Sequence, residues 1–292
     1  MKKQLKFSFL FAALFIVAAC FMGCEGDEGP AGPAGATGAA GAAGATGSTG
    51  AAGPGYSSVV LTMGNEADDP IGKSIYLVES NKTYNTSSRL FIVASGQFYN
   101  SSNNQRIRTL MSFDIAQANL PADAIIVDAI LTLYPYVHSE NSTGICHFHI
   151  YPMSADWSET TCTWNNAIGG ATPTAWATAG GGGDYSATTS IGEFSVTPTA
   201  AAADSIPVQA HLSPAYVQNW NNGHPNYGFI ITLDDEAVSV NKRFLMYSRK
   251  ATGADATKRP SLRIIYARTS QLAADMSVEG IRAEYQAGLQ SK

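Results

Sequence analysis

Residues 125–134 read Ile125-Ile126-Val127-Asp128-Ala129-Ile130-Leu131-Thr132-Leu133-Tyr134. Ala129, Leu131 and Leu133 occupy alternate positions, with Asp128 and Thr132 on the opposite parity. Successive side chains of a strand point to opposite faces, so this spacing predicts a strand with one face on a core. A helix would keep Ala129 and Leu133 on one face and turn Leu131 to the other.

Outward from this segment, short β-branched and aromatic runs recur, each bounded by Asn, Ser, Gly or Pro. They predict further strands at 59–63, 75–79, 90–94, 107–113, 146–151, 193–196, 206–209, 227–233, 243–247 and 261–266. So many short strands in one stretch of chain predict an all-β fold, an antiparallel jelly-roll-like β-sandwich. One short helix interrupts them. Ser213 is its expected cap, Pro214 suits the first position, and Tyr216, Val217 and Trp220 share a face. After Tyr266 the strand pattern stops. The tail, 267–292, either frays or forms a weak helix through Ile281, Tyr285 and Leu289.

Composition narrows the function. The chain has 292 residues, 45% hydrophobic and 14% charged, with 18 Lys+Arg against 23 Asp+Glu and a net charge of −5. A mildly acidic, weakly charged chain is unsuited to the phosphate backbone, so no nucleic-acid partner is expected. Four cysteines are too few for a disulfide scaffold. No G-x-S-x-G, H-E-x-x-H, P-loop or Rossmann fingerprint occurs, and no cofactor is implied.

Two segments precede the strands. Residues 1–23 combine a basic start (Lys2, Lys3, Lys6) with an apolar run from Phe7 to Phe21. That run is shorter than the roughly 20 residues a spanning helix needs, and it reads as a signal peptide. Its end carries two lipobox-like cysteines. Cys24 is favoured as the lipidated residue because the acidic Glu25, Asp27 and Glu28 follow it at once; Cys20, after Val17-Ala18-Ala19, is the alternative. The expectation is an exported protein held by acyl chains on a bacterial membrane, at the outer membrane or cell surface. Residues 24–55 follow, with glycine at every third position from Gly26 to Gly53. This is the period of a collagen triple helix, where only glycine fits the axis. Pro30, Pro33 and Pro54 are the only prolines in it. The segment is therefore either a trimerising stalk over 26–55, giving a homotrimer, or a solvated single-chain tether.

Five blocks within 57–266 resemble the DNRLRE-type domain, a family that includes carbohydrate-binding modules. They are Arg108-Thr109-Leu110-Met111-Ser112-Phe113-Asp114; Leu120-Pro121 with 125–134; Trp157-Ser158-Glu159 followed by Thr163-Trp164-Asn165-Asn166; Asn219-Trp220-Asn221 with Tyr227-Gly228-Phe229; and Arg259-Pro260-Ser261-Leu262 leading to Tyr266. The motif that names the family is not contiguous here, and its early turn appears as Asn85-Thr86-Ser87, without glycine. The resemblance implies a sandwich that binds polysaccharide without catalysis. It also implies that Trp157, Glu159, Trp164, Asn165 and Trp220 anchor loops to the core.

Other residues are candidates for chemistry. Trp176 lies in a Gly/Ala/Thr-rich loop and is either a sugar-stacking platform or a plug. Tyr84 and Tyr99, in Asn/Ser-rich stretches, are candidates for the same stacking. Arg106, Lys242 and Arg249 are candidate partners for uronic-acid carboxylates. His147 and His149 share a strand face, read as a polar surface; no metal site is assigned. Asp156 and Glu159 are a carboxylate pair, but the loop reading leaves no catalytic residue. Cys146 and Cys162 are either a disulfide or two buried thiols.

Overall fold

The structure is a computed structural model. It describes residues 55–65, 69–79, 92–100, 103–136, 145–196, 206–236, 242–272 and 276–290, with backbone alone at 92–100, 103–104 and 242–243. Cys20, Cys24, the triplets up to Pro54 and Tyr84 lie outside the described residues.

The domain is an antiparallel β-sandwich. Its strands are β1 (Ser57–Thr62), β2 (Gly72–Val78), β3 (Ile92–Asn100), β4 (Asn103–Phe113), β5 (Ala124–Leu133), β6 (Cys146–Pro152), β7 (Asn166–Ile168), β8 (Thr174–Ala175), β9 (Gly192–Val196), β10 (Val208–Leu212), β11 (Phe229–Leu233), β12 (Lys242–Tyr247) and β13 (Ser261–Arg268). The smaller sheet runs β1-β13-β5-β10. The larger runs β12-β3-β4-β11-β6-β9, and β2 pairs with the other side of β4. Strand β4 is long enough to hold two partners on one side: β3 against 103–107 and β11 against 109–111.

The inner faces follow the period-2 reading. Ala129, Leu131 and Leu133 meet Leu262 and Ile264 from β13, and Phe148, Phe229, Ile231, Phe244 and Met246 from the larger sheet. At roughly 25 cal/mol per Å² of apolar surface, this burial is the main stabilising term. A bulge interrupts β5: Ile265 pairs with Asp128 and Tyr266 with Ile126, leaving Val127 unmatched. The extra residue lets Ile126 point inward while Val127 packs outside.

Helix α1 (Pro214–Asn221) closes one end of the sandwich, with Val217 buried and Tyr216 and Trp220 packed on the core. Ser213 holds the cap position, but its side chain makes no capping hydrogen bond. The fit comes from Gln218. Its Oε1 accepts from Ile126 N at 2.8 Å and its Nε2 donates to Ala124 O at 3.3 Å. A side-chain amide thus satisfies β5 where β10 has ended.

In the tail the helical alternative holds, through Ile281, Tyr285 and Leu289. Strand β13 continues to Arg268, and α2 (Val278–Gln290) follows. Buried Ile281 packs with Val127, Ile130, Ile265 and Ala267 on the outer face of the smaller sheet.

Candidate functional site

The outer face of the larger sheet has an apolar half and a polar half. Ile75, Leu77, Leu110 and Ile230 form the apolar half. The segment from Met153 to Tyr185 lies over it and buries Trp157, Trp164 and Trp176. Each indole is specified. Trp157 is 2% exposed, and its Nε1 donates to Tyr227 O at 2.9 Å. Trp176 is 5% exposed, with Nε1 donating to Thr163 O at 2.9 Å. Trp164 lies under Gly180, whose φ is +81° and where a Cβ would sit 2.6 Å from the ring. Only glycine suits both that conformation and that approach.

At the β2 edge the same segment is pinned by charge. Lys73 Nζ donates to Asp156 at 2.9 Å and to Trp157 O at 2.5 Å, and stands 4.2 Å over the Trp157 ring. Glu159 accepts from Ser74 N at 3.0 Å and takes both Arg249 Nε and Nη2 at 2.5 Å. Ser74 N–H points out of an edge strand, so Glu159 supplies the acceptor a further strand would have given.

The polar half begins at Arg106 and Arg108. Both guanidinium groups stand 5.2 Å from the Trp164 ring. Arg106 pairs with Glu79, and that hydrogen bond holds the Glu79 carboxyl below the usual range. Arg108 is buried, donating to Gly180 O at 2.7 Å and to both oxygens of Glu236. Burial alone would lower its pKa; the Glu236 partner outweighs it and the pKa rises. Beyond them is a row of rings. Tyr185 and Tyr151 centroids are 5.4 Å apart, and Tyr151 and His149 are 5.8 Å apart. His149 lies between Asp234, at 3.2 Å, and Glu193, at 3.8 Å. His147 meets Ser195 Oγ at 2.7 Å. Burial, followed by Tyr185 and Asp234, raises the Tyr151 pKa.

The structure sorts the sequence candidates. Lys242, Gln97 and Arg106 fall in one register row across β12, β3 and β4, with Tyr99 two residues along β3 and opposite Asn104. Arg106, Lys242 and Tyr99 are therefore brought to one end of the larger sheet. Arg249 is a correction, and Trp176 takes the second of its two readings. Arg249 is 2% exposed and its guanidinium is spent on Glu159; Trp176 plugs its loop and presents no open ring. Asn165 is exposed, with its carbonyl accepting from Trp176 N at 3.1 Å. Trp220 packs at the α1 end, away from this face. Cys146 and Cys162 are both buried thiols, and no disulfide joins them. Burial pushes the Cys162 thiol up to about 12.

Sequence reasoning missed Tyr151 and Tyr185. Tyr151 was within reach, because it continues the alternation of His147 and His149 on β6. Tyr185 sits in irregular chain, where no period marks a residue's direction.

The arrangement offers half-exposed rings beside fixed donors and acceptors, which suits binding. Asp156 and Glu159 are held by Lys73 and Arg249.

No curated protein matches the chain. Residues 76–191 match the model of carbohydrate-binding module family 96. The matched stretch runs from β2 to the residue before β9 and includes the whole tryptophan-bearing segment. The domain is thus a β-sandwich similar to a carbohydrate-binding module.

Proposed function

We propose that this chain is an exported, lipid-anchored protein whose β-sandwich binds polysaccharide without cleaving it, along the outer face of the larger sheet. One observation carries the reading. The family match takes in β3, β4, β6 and the loop of this face, where the half-buried rings of Tyr151 and Tyr185 stand side by side. Sugar rings would lie against Tyr151 and Tyr185. At the other end of the face, Arg106, its side chain 39% exposed beside Glu79, favours a chain that carries uronic-acid carboxylates. The lipobox-like cysteines and the glycine triplets support a domain displayed outward from a membrane. The triplets serve as a tether or as a trimerising rod that makes the protein adhesive or structural. Light scattering with and without residues 26–55 separates the two.

Affinity electrophoresis of the mature chain in gels cast with uronate-containing and neutral polysaccharides tests the binding. The expected result is retardation that Tyr151→Ala reduces at least tenfold in affinity. Equal mobility in every gel would sink the reading, as would release of reducing ends.

A further inference from the structure

The sandwich has a second polar site at the edge where β9 and β10 meet. The two sheets approach closely here: Ser213 N donates to Ile191 O at 2.6 Å, and a Cβ on Gly192 would stand 2.9 Å from His211 O. Beside this seam is a cleft of about 320 Å³, bordered by Asp128, Glu193, His211, Ser213, Pro214 and Gln286. That is the lower end of the range for small-ligand sites. Four elements contribute to it: β5, β9, the stretch from β10 into α1, and α2.

Its chemistry is set by Asp128. This carboxylate is 1% exposed. It accepts from Ala129 N at 2.8 Å and from the Tyr285 hydroxyl, and it holds His211 Nδ1 at 2.9 and 3.0 Å. A carboxylate only accepts, so Nδ1 carries a proton towards Asp128 and Nε2 is the ring nitrogen left to meet a ligand. The His211 side chain is 57% exposed, so Nε2 is reachable. Glu193 adds acceptors, Gln286 both donors and acceptors, and Ser213 a hydroxyl. Pro214 gives an apolar surface between them.

We propose that this cleft is a second saccharide site, one that takes a neutral, hydroxyl-rich ring. Hydroxyl groups, which both donate and accept, would pair with His211 Nε2, donate to Glu193 and accept from Gln286, while the C–H face of the ring lies on Pro214. An anionic sugar is disfavoured because Asp128 and Glu193 already place two carboxylates here. Glu193 also borders His149 on the open sheet face, so one glycan can round the β9 edge and end in the cleft. The proposal takes its ligand class from the polysaccharide reading, but it stands on different residues.

The test titrates the ¹⁵N-labelled mature chain with cellotetraose, mannotetraose and xylotetraose, and separately with tetragalacturonate. Amides 191–193 and 211–213 and the His211 ring signals report on the cleft. At least one neutral probe should shift them saturably. His211→Ala and Gln286→Ala, both at exposed positions, should each weaken that binding at least tenfold. Both should leave tetragalacturonate affinity within twofold. Neutral probes that never shift the cleft, or binding that survives both variants, would overturn the second site while the sheet-face reading stands. Neutral binding here with no probe on the Tyr151 face would remove that reading and keep this one.

Discussion

The smaller sheet is covered on its outside by a regular helix, and the larger sheet by about thirty residues of irregular chain. Helix α2 satisfies its own backbone, so Ile281 covers Val127, Ile130 and Ile265 by area, and its polar ties to β5 are the Tyr285 hydroxyl on Asp128 and Arg282 Nε on Ile126 O. The segment over the larger sheet has short β7 and β8 and otherwise irregular backbone. Part of its backbone pairs within the segment, as Ser158 N with Ala167 O and Thr163 N with Asn166 O, and it is tied to the rest of the domain by Lys73 on Trp157 O, Arg108 on Gly180 O, the Trp157 indole on Tyr227 O and the Glu159–Arg249 pair. A cover built this way is confined to where those partners stand. It reaches Arg108 and leaves Tyr151 half-buried. An irregular cover extends only as far as its polar partners, whereas helix α2 carries its own backbone hydrogen bonds along the smaller sheet.

If so, the charged pins matter more to stability than the helix does. Glu159→Ala should have the largest effect, about 3–5 kcal/mol, because it leaves the buried Arg249 guanidinium without its carboxylate. Urea denaturation checks the size, and tryptophan emission should shift to the red as the cover loosens. A loss under about 1 kcal/mol would mean that the indoles hold the cover without the pins. Glu159→Gln, which keeps an acceptor for Ser74 N, should fall between.

Strands were the legible part of this sequence. β4, β5 and β13 bury one face and expose or cover the other differently, so alternation marks them clearly. The helix at Pro214 was legible from Pro and the Tyr216-Val217-Trp220 stripe, but its real attachment through Gln218 was not. A lone glutamine has no pattern until its partner strand is known. The same holds for Arg249. Its charge and loop position suggest a surface role, and only the meeting of 159 with 249 makes it a pin. Trp176 was ambiguous for the opposite reason. Gly and Thr around a Trp fit a platform or a plug, and the choice depends on Thr163 O thirteen residues away. Local propensity records a residue's neighbours in sequence, and these roles are set by neighbours in space.

The second prediction tests the helix side. Ile281→Ala removes the one fully buried side chain of α2 and should cost about 2 kcal/mol, the low end for such a truncation because the helix can detach. Hydrogen exchange should show α2 amides losing protection while those of β5 and β13 keep theirs. If all three regions lose protection together, the helix is part of the cooperative core and the contrast between the two covers is weaker.

The smallest effect concerns the turn that leads into that helix. Asp123 accepts from Ser270 Oγ at 2.6 Å, Ser270 N at 3.2 Å and Arg268 Nε at 3.1 Å, fixing the chain as it leaves β13. The Ser270 hydroxyl favours the charged form most; desolvation opposes it, and the Ser270 amide and Arg268 add to the lowering, which takes the Asp123 pKa from 3.8 to about 2. Because the folded value is depressed, the contribution to stability is complete above the unfolded value near 4. It is lost as pH falls through about 2. Carboxyl-carbon NMR should give an Asp123 midpoint near 2, and Ser270→Ala should move it back toward 3.8. Exposure limits the stabilisation, so the global unfolding midpoint of Ser270→Ala at neutral pH should barely move. An unshifted Asp123 in the native protein would show that the turn is held by the packing of α2 alone, and the helix would then be its own anchor.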